Sequence, residues 1–220
     1  MSKYKSVNIS KELTYIGIDE STLGVGNGSI IMVAAVTNDK NLTIIRPYEN
    51  ALDKAKNFYD NKIPFPTVTS MMEEGMSTYY WMRVNKGRFK RQQIAHAGIG
   101  QLVKTNGFKP ESTVLYVDAF HNPIHMSRYL IKEYLSMHDF HIPEQNIEII
   151  QGGDKSVKII NFADLLAFQI GHARDEEFKK YNPEAVRLEI KAKKIEFNSQ
   201  RIEPISQQGR QYLEELLNSP

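Results

Sequence analysis

Tyr15-Ile-Gly-Ile-Asp-Glu-Ser-Thr-Leu-Gly-Val-Gly-Asn-Gly-Ser-Ile-Ile-Met-Val-Ala-Ala-Val36 reads as an apolar strand that runs into an acidic pair, Asp19-Glu20. It then crosses a glycine-rich turn and returns as a second apolar strand. Two adjacent carboxylates at the end of a buried strand are costly unless something positive meets them. A divalent cation is the natural partner.

The chain around this hairpin has 220 residues, 41% hydrophobic and 25% charged, enough for one generous domain with a real core. A formal net charge of +2 gives no global basic signature, so any nucleic-acid surface must come from local clusters of Lys and Arg. The absence of cysteine removes disulfides, thiolate zinc sites and cysteine nucleophiles together, leaving oxygen or imidazole to hold a metal. The first residues lack the apolar core of a secretory signal, and no apolar run approaches the ~20 residues of a membrane span. A cytoplasmic monomer with no membrane partner is expected.

Beyond the hairpin, Thr43–Arg46 is expected as a short strand, Ala51 to Asp60 as a helix, and the β-branched Thr67–Met71 as another strand. Tyr79, Tyr80, Trp81 and Met82 form an aromatic cluster suited to core packing. A helix over Arg88–Lys104, ended by Asn106-Gly107, feeds the apolar strand Ser112–Asp118, which closes on a single carboxylate. Another helix from Ile124 to His138 precedes the strand Asn146–Ile150 and Gln151-Gly-Gly-Asp154, and one long helical pattern runs from Val157 to Tyr181. Strands alternating with helices in this half imply parallel βαβ pairing, while the opening hairpin is antiparallel. The expected fold class is therefore α/β, with a mixed sheet flanked by helices.

Open α/β sheets put their chemistry at strand ends. Asp19-Glu20, Asp118 and Asp154 finish or follow three separate strands, and if the first and fourth strands are neighbours these acids share one rim. A hard-oxygen set of this kind suits Mg²⁺ or Mn²⁺. With two ions it can hydrolyse a phosphodiester without a side-chain nucleophile. Taken alone, each Asp also reads as a turn former, and Asp154 as a helix cap.

These residues resemble ribonuclease HII of the ribonuclease H-like superfamily. That family opens with a strand, an Asp-Glu pair, a glycine turn and a strand ending in Ala-Ala-Val, matched here by Gly17-Ile-Asp19-Glu20 and Val33-Ala-Ala-Val36. Val114-Leu-Tyr-Val-Asp118-Ala119 and the stretch from Gly153-Asp154 to Arg174-Asp175 are similar to its later landmarks. The resemblance implies a catalytic domain over residues 1–182, with 183–220 as a C-terminal extension packed on it. It implies that Asp19, Glu20, Asp118 and Asp154 are catalytic metal ligands in an endonuclease that cleaves the RNA strand of RNA–DNA hybrids.

Two departures bear on substrate. The family's Gly-Arg-Gly turn contacts the ribose 2′-hydroxyl, whereas Ser21-Thr-Leu-Gly-Val-Gly26 holds no arginine, so Ser21, Thr22 and Gly24 are the expected nucleic-acid contacts there. Asp164, in Phe162-Ala-Asp-Leu-Leu-Ala167, stands where ribonuclease HII usually has Ser, and resembles the helix aspartate of an uncharacterised family that also opens with Asp-Glu-Ser. On one continuous helix Asp154 and Asp164 would lie too far apart to share an ion, so Asp164 is expected as an alternative to Asp154. Lys86, Arg88, Lys90 and Arg91 form the densest positive cluster, read either as phosphate contacts or as a solvated helix end. The alternatives for function are a nuclease with another nucleic-acid substrate, or an inactive nucleic-acid-binding domain.

Overall fold

The computed structural model describes residues 12–22, 29–85, 91–119, 124–136, 139–185 and 194–196. Its opening hairpin is formed by β1 (Thr14–Thr22) and β2 (Ser29–Thr37), antiparallel with Asp19 opposite Val33. The chain continues the sheet with β3 (Thr78–Asn85), β4 (Thr113–Asp118), β5 (Ile147–Ile150) and β6 (Lys194–Glu196). Among the described residues the sheet has six strands in the order β5-β4-β1-β2-β3-β6. β1, β2 and β3 pair antiparallel, whereas β4 on β1, β5 on β4 and β6 on β3 pair parallel. The mixed sheet expected from the sequence is what forms.

Seven α-helices accompany these strands among the described residues: α1 (Ala55–Asp60), α2 (Val68–Glu73), α3 (Arg91–Thr105), α4 (Ile124–Ser136), α5 (Gly153–Ser156), α6 (Lys158–Gly171) and α7 (Glu176–Tyr181). Strand residues alternate between the two faces of the sheet, and both faces are covered. On one side Ile31, Val33, Ala35 and Trp81 pack against Ile159, Ala163, Leu166 and Ile170 of α6. On the other, Ile16, Ile18, Met32 and Ala34 meet Ile99 and Leu102 of α3 and Ile131 and Leu135 of α4. Tyr79 and Trp81 join the first core and Met82 the second, so the aromatic run is a strand packed on both faces.

Local chemistry overrides the sequence reading in four places. Thr67–Met71 is not a strand: the Thr67 hydroxyl accepts a hydrogen bond from Ser70 N at 3.1 Å, and this cap starts α2 despite the β-branched residues. Thr43–Arg46 is not a strand either, since a 3-10 turn covers Lys40–Thr43 and Ile45 makes only an isolated bridge to Val157. The first helix begins at Ala55 rather than Ala51. The long pattern from Val157 to Tyr181 is two helices, because Asp175 accepts from Glu177 N and Phe178 N and so starts α7 afresh. The Gly107 turn after α3 is left-handed, with φ 69°, as the Asn-Gly pair predicts.

One contact sets the position of α6. Gly17 lies at the middle of β1, and a Cβ there would fall on the backbone carbonyl of Ile159. Only glycine lets the helix start lie directly on the strand.

Candidate metal centre

β1 carries Asp19 two residues beyond the Gly17 contact, at the strand's C-terminal half. The parallel register with β4 pairs Gly17 with Tyr116 and Ile18 with Val117, so one further step sets Asp19 beside Asp118. β5 continues the same edge, and Ala119 N donates to Ile150 O at 2.9 Å where β4 leaves the sheet. The chain then turns through left-handed Gly152, with φ 65°, into the single turn of α5, which holds Asp154. Three strands thus deliver acids to one rim.

A fourth aspartate, Asp164, joins them from α6. Ligand oxygens of Asp19, Asp154 and Asp164 all lie within 4.8 Å of one another. The expectation that Asp154 and Asp164 exclude each other fails for a structural reason. Val157 is extended, with φ −123° and ψ 118°, and breaks the chain between α5 and α6. The two acids therefore sit on separate helices rather than three turns apart on one.

The carboxylates of Asp19, Asp164 and Asp118 are fixed by backbone donors. Glu20 N donates to Asp19 Oδ1 at 2.7 Å, and Ala55 N at the start of α1 donates to Asp164 Oδ2 at 2.8 Å. Asp118 Oδ1 accepts from Gly153 N at 2.7 Å and from Ala119 N at 3.0 Å. This ties β4 to the helix that bears Asp154. Asn161 braces the same helix, its amide donating to Asp154 O and to Asp53 O, both at 2.8 Å.

The electrostatics are those of crowded, poorly hydrated acids. Burial, then the charges of Asp164, Glu20 and Asp118, push the Asp19 carboxyl well above the usual carboxylate range. Burial and the Asp154 charge raise Asp118 to about 6, and burial raises Asp164 to about 6 against the bond from Ala55 N. Glu20 is half-buried, and its charge bears on both Asp19 and Asp164.

Among the described residues, Lys54 faces this charge. Lys54 Nζ is ion-paired with Asp154 Oδ2, its side chain 34% exposed against 5% for Asp154. Burial alone would lower the ammonium, but the bond to Asp154 and the charges of Asp154, Asp118 and Asp164 hold it above its usual value. Nothing in the sequence marks Lys54, which belongs to an ordinary Asp-Lys-Ala-Lys stretch before α1. Asp154 Oδ1 is buried with no hydrogen-bond partner. An all-oxygen donor set with an orphaned buried carboxylate oxygen fits a hard divalent cation such as Mg²⁺ or Mn²⁺.

Of the expected nucleic-acid contacts, Ser21 is buried on β1, two residues beyond Asp19. Gly24, Lys86, Arg88 and Lys90 lie outside the described residues, as do the side chains of Thr22 and Arg91. Among the described residues no helix is long and apolar enough to cross a membrane.

No protein-family model and no curated protein matches the chain. Among solved structures, the ribonuclease H2 from Pyrococcus horikoshii OT3 is similar, at 19% identity and a TM-score of 0.51 over 93% of this chain and 87% of that one. The likeness shows a ribonuclease H-like fold, and the cluster of Asp19, Asp154 and Asp164 lies within it.

Proposed function

We propose that the protein is a divalent-metal-dependent endonuclease that hydrolyses phosphodiester bonds in nucleic acid, with Mg²⁺ or Mn²⁺ held by Asp19, Asp154 and Asp164. The observation that carries this reading is the convergence of these three aspartates around the unpartnered, buried Oδ1 of Asp154. Glu20 and Asp118 complete the acidic rim, and a pair of ions is the working arrangement. When bound, the ions polarise the phosphate and lower the pKa of water for in-line attack.

The chain's own residues supply order and charge. Backbone amides of Glu20, Ala55, Gly153 and Ala119 hold the carboxylates of Asp19, Asp164 and Asp118 in place, so little reorganisation precedes binding. Lys54 neutralises Asp154, and its exposed part is available to a phosphate oxygen of the substrate. In the net reaction water adds to phosphorus and the bond to the leaving oxygen breaks.

The first substrate proposed is the RNA strand of RNA–DNA hybrids. It rests on the sequence resemblance at Asp19, Glu20, Asp118 and Asp154, and the ribonuclease H2 neighbour supports it. A second reading, a different nucleic-acid substrate, is favoured by Asp164, which joins the cluster where ribonuclease HII usually has Ser. Matched all-DNA, hybrid and single-ribonucleotide duplexes incubated with Mg²⁺ and Mn²⁺ separate the two. Asp19→Asn should abolish cleavage while leaving the fold intact by circular dichroism, and retained cleavage would overturn the nuclease reading.

A further inference from the structure

Resting on the nucleic-acid reading above, we infer that Arg46–Leu52 forms a strand-binding finger beside the metal centre, with Tyr48 stacking on an unpaired base. Both ends of this segment are fastened to the short helix that carries Asp154. Arg46 N donates to Ser156 O at 2.7 Å, and Leu52 N donates to Lys155 O at 2.7 Å. Ile45 bridges Val157 on the antiparallel side, and α1 begins just past the finger, where Ala55 N holds Asp164. Two consecutive carbonyls next to an acid of the cluster thus anchor the stem.

Between the anchors the chain rises away from the core. Asn50 N donates to Pro47 O at 3.0 Å and Ala51 N to Tyr48 O at 3.2 Å, which closes a 3-10 turn at the tip. Tyr48 stands on that turn 90% exposed. Nothing in the core requires an aromatic ring there. Ile44 and Ile45 at the foot are also exposed, Ile45 by 63%.

An aromatic face with an apolar foot is what a nucleobase stacks on, and such stacking tolerates any base. Arg46 at the stem and Lys155 beside Asp154 are exposed cations that can meet the phosphates of a strand. A rigid duplex hides its base faces, so the ring can engage only an unpaired nucleotide. The finger therefore selects a substrate with a single-stranded segment.

The test uses the full chain in EDTA at low salt, with a single-stranded oligonucleotide carrying 2-aminopurine and the matched blunt duplex. Wild type should bind the single strand and quench the 2-aminopurine. Tyr48→Ala should lose the quench and bind roughly 5- to 100-fold more weakly, with duplex binding and melting temperature unchanged. Tyr48→Phe should restore both signals. Wild-type affinity and quench in Tyr48→Ala, or binding of the duplex alone, would overturn the finger while leaving the nuclease reading in place. If wild type binds neither oligonucleotide, the nucleic-acid reading itself falls, and the finger with it.

Discussion

Asp164→Asn should make the metal-free protein more stable. Burial raises the Asp164 carboxyl from the usual 3.8 to about 6. The folded state therefore holds this proton more tightly than the unfolded chain does. The stability the group contributes is greatest below the unfolded value and is lost as pH rises through about 6. At pH 7 the loss approaches about 3 kcal/mol, from a shift of roughly two pH units at ~1.4 kcal/mol each. Asparagine keeps an oxygen for Ala55 N, so most of the gain survives, and at ~2–4 °C per kcal/mol the melting temperature should rise by about 5–10 °C. The assay is thermal unfolding followed by circular dichroism in EDTA at pH 7 and again near pH 4.5, where the gap between variant and wild type should shrink. Added Mn²⁺ should then stabilise wild type more than the variant. An unchanged or lower melting temperature in EDTA at pH 7, or a gap of equal size at both pH values, would refute the reasoning.

Other perturbations read different parts of the same centre. Lys54→Ala leaves the buried Asp154 carboxylate with neither oxygen satisfied, and should cost about 1–3 kcal/mol in EDTA once the partial exposure of Lys54 is allowed for. Mn²⁺ should recover most of that loss in chemical denaturation, and a deficit independent of metal would count against the shared site. Gly17→Ala drives a methyl into the Ile159 carbonyl and should destabilise by about 1–3 kcal/mol. Calorimetric titration should show that it also weakens Mn²⁺ binding, because α6 can shift only by carrying Asp164 away from Asp19. Unaltered Mn²⁺ affinity would separate the helix position from the site.

Much of this arrangement is legible in the sequence because it follows from local pattern. Alternating apolar residues from Tyr15 to Val36 give the hairpin, and the apolar runs ending at Asp118 and Ile150 give the parallel strands. Asp19, Asp118 and Asp154 could be brought to one edge from strand order alone. The misread elements are those where a single side chain decides. Thr67 and Asp175 cap helices, and each outweighs the propensity of the residues around it. Val157 illustrates the same limit at the site: one extended residue makes Asp154 and Asp164 neighbours, and no periodicity reveals that break. Lys54 and Tyr48 are matters of tertiary placement: Lys54 is ion-paired with Asp154, 100 positions further on, and Tyr48 sits on a turn whose flanks, Arg46 and Leu52, donate to Ser156 and Lys155.

The Gly17 contact also constrains the order in which the centre can come into being. β1, β2 and β3 lie close in sequence and can pair early, but the helix that rests on Gly17 is about 140 residues further along the chain. Asp19 is in place as soon as the hairpin forms, while Asp164 arrives only when that distant helix docks and Asp154 only with the short helix just before it. Any intermediate on the folding route that lacks α6 is therefore a sheet without Asp164 and with no complete cluster. Competence for metal binding depends on a long-range closure, so a ribosome-bound chain that has released only its N-terminal half carries the motif without the site.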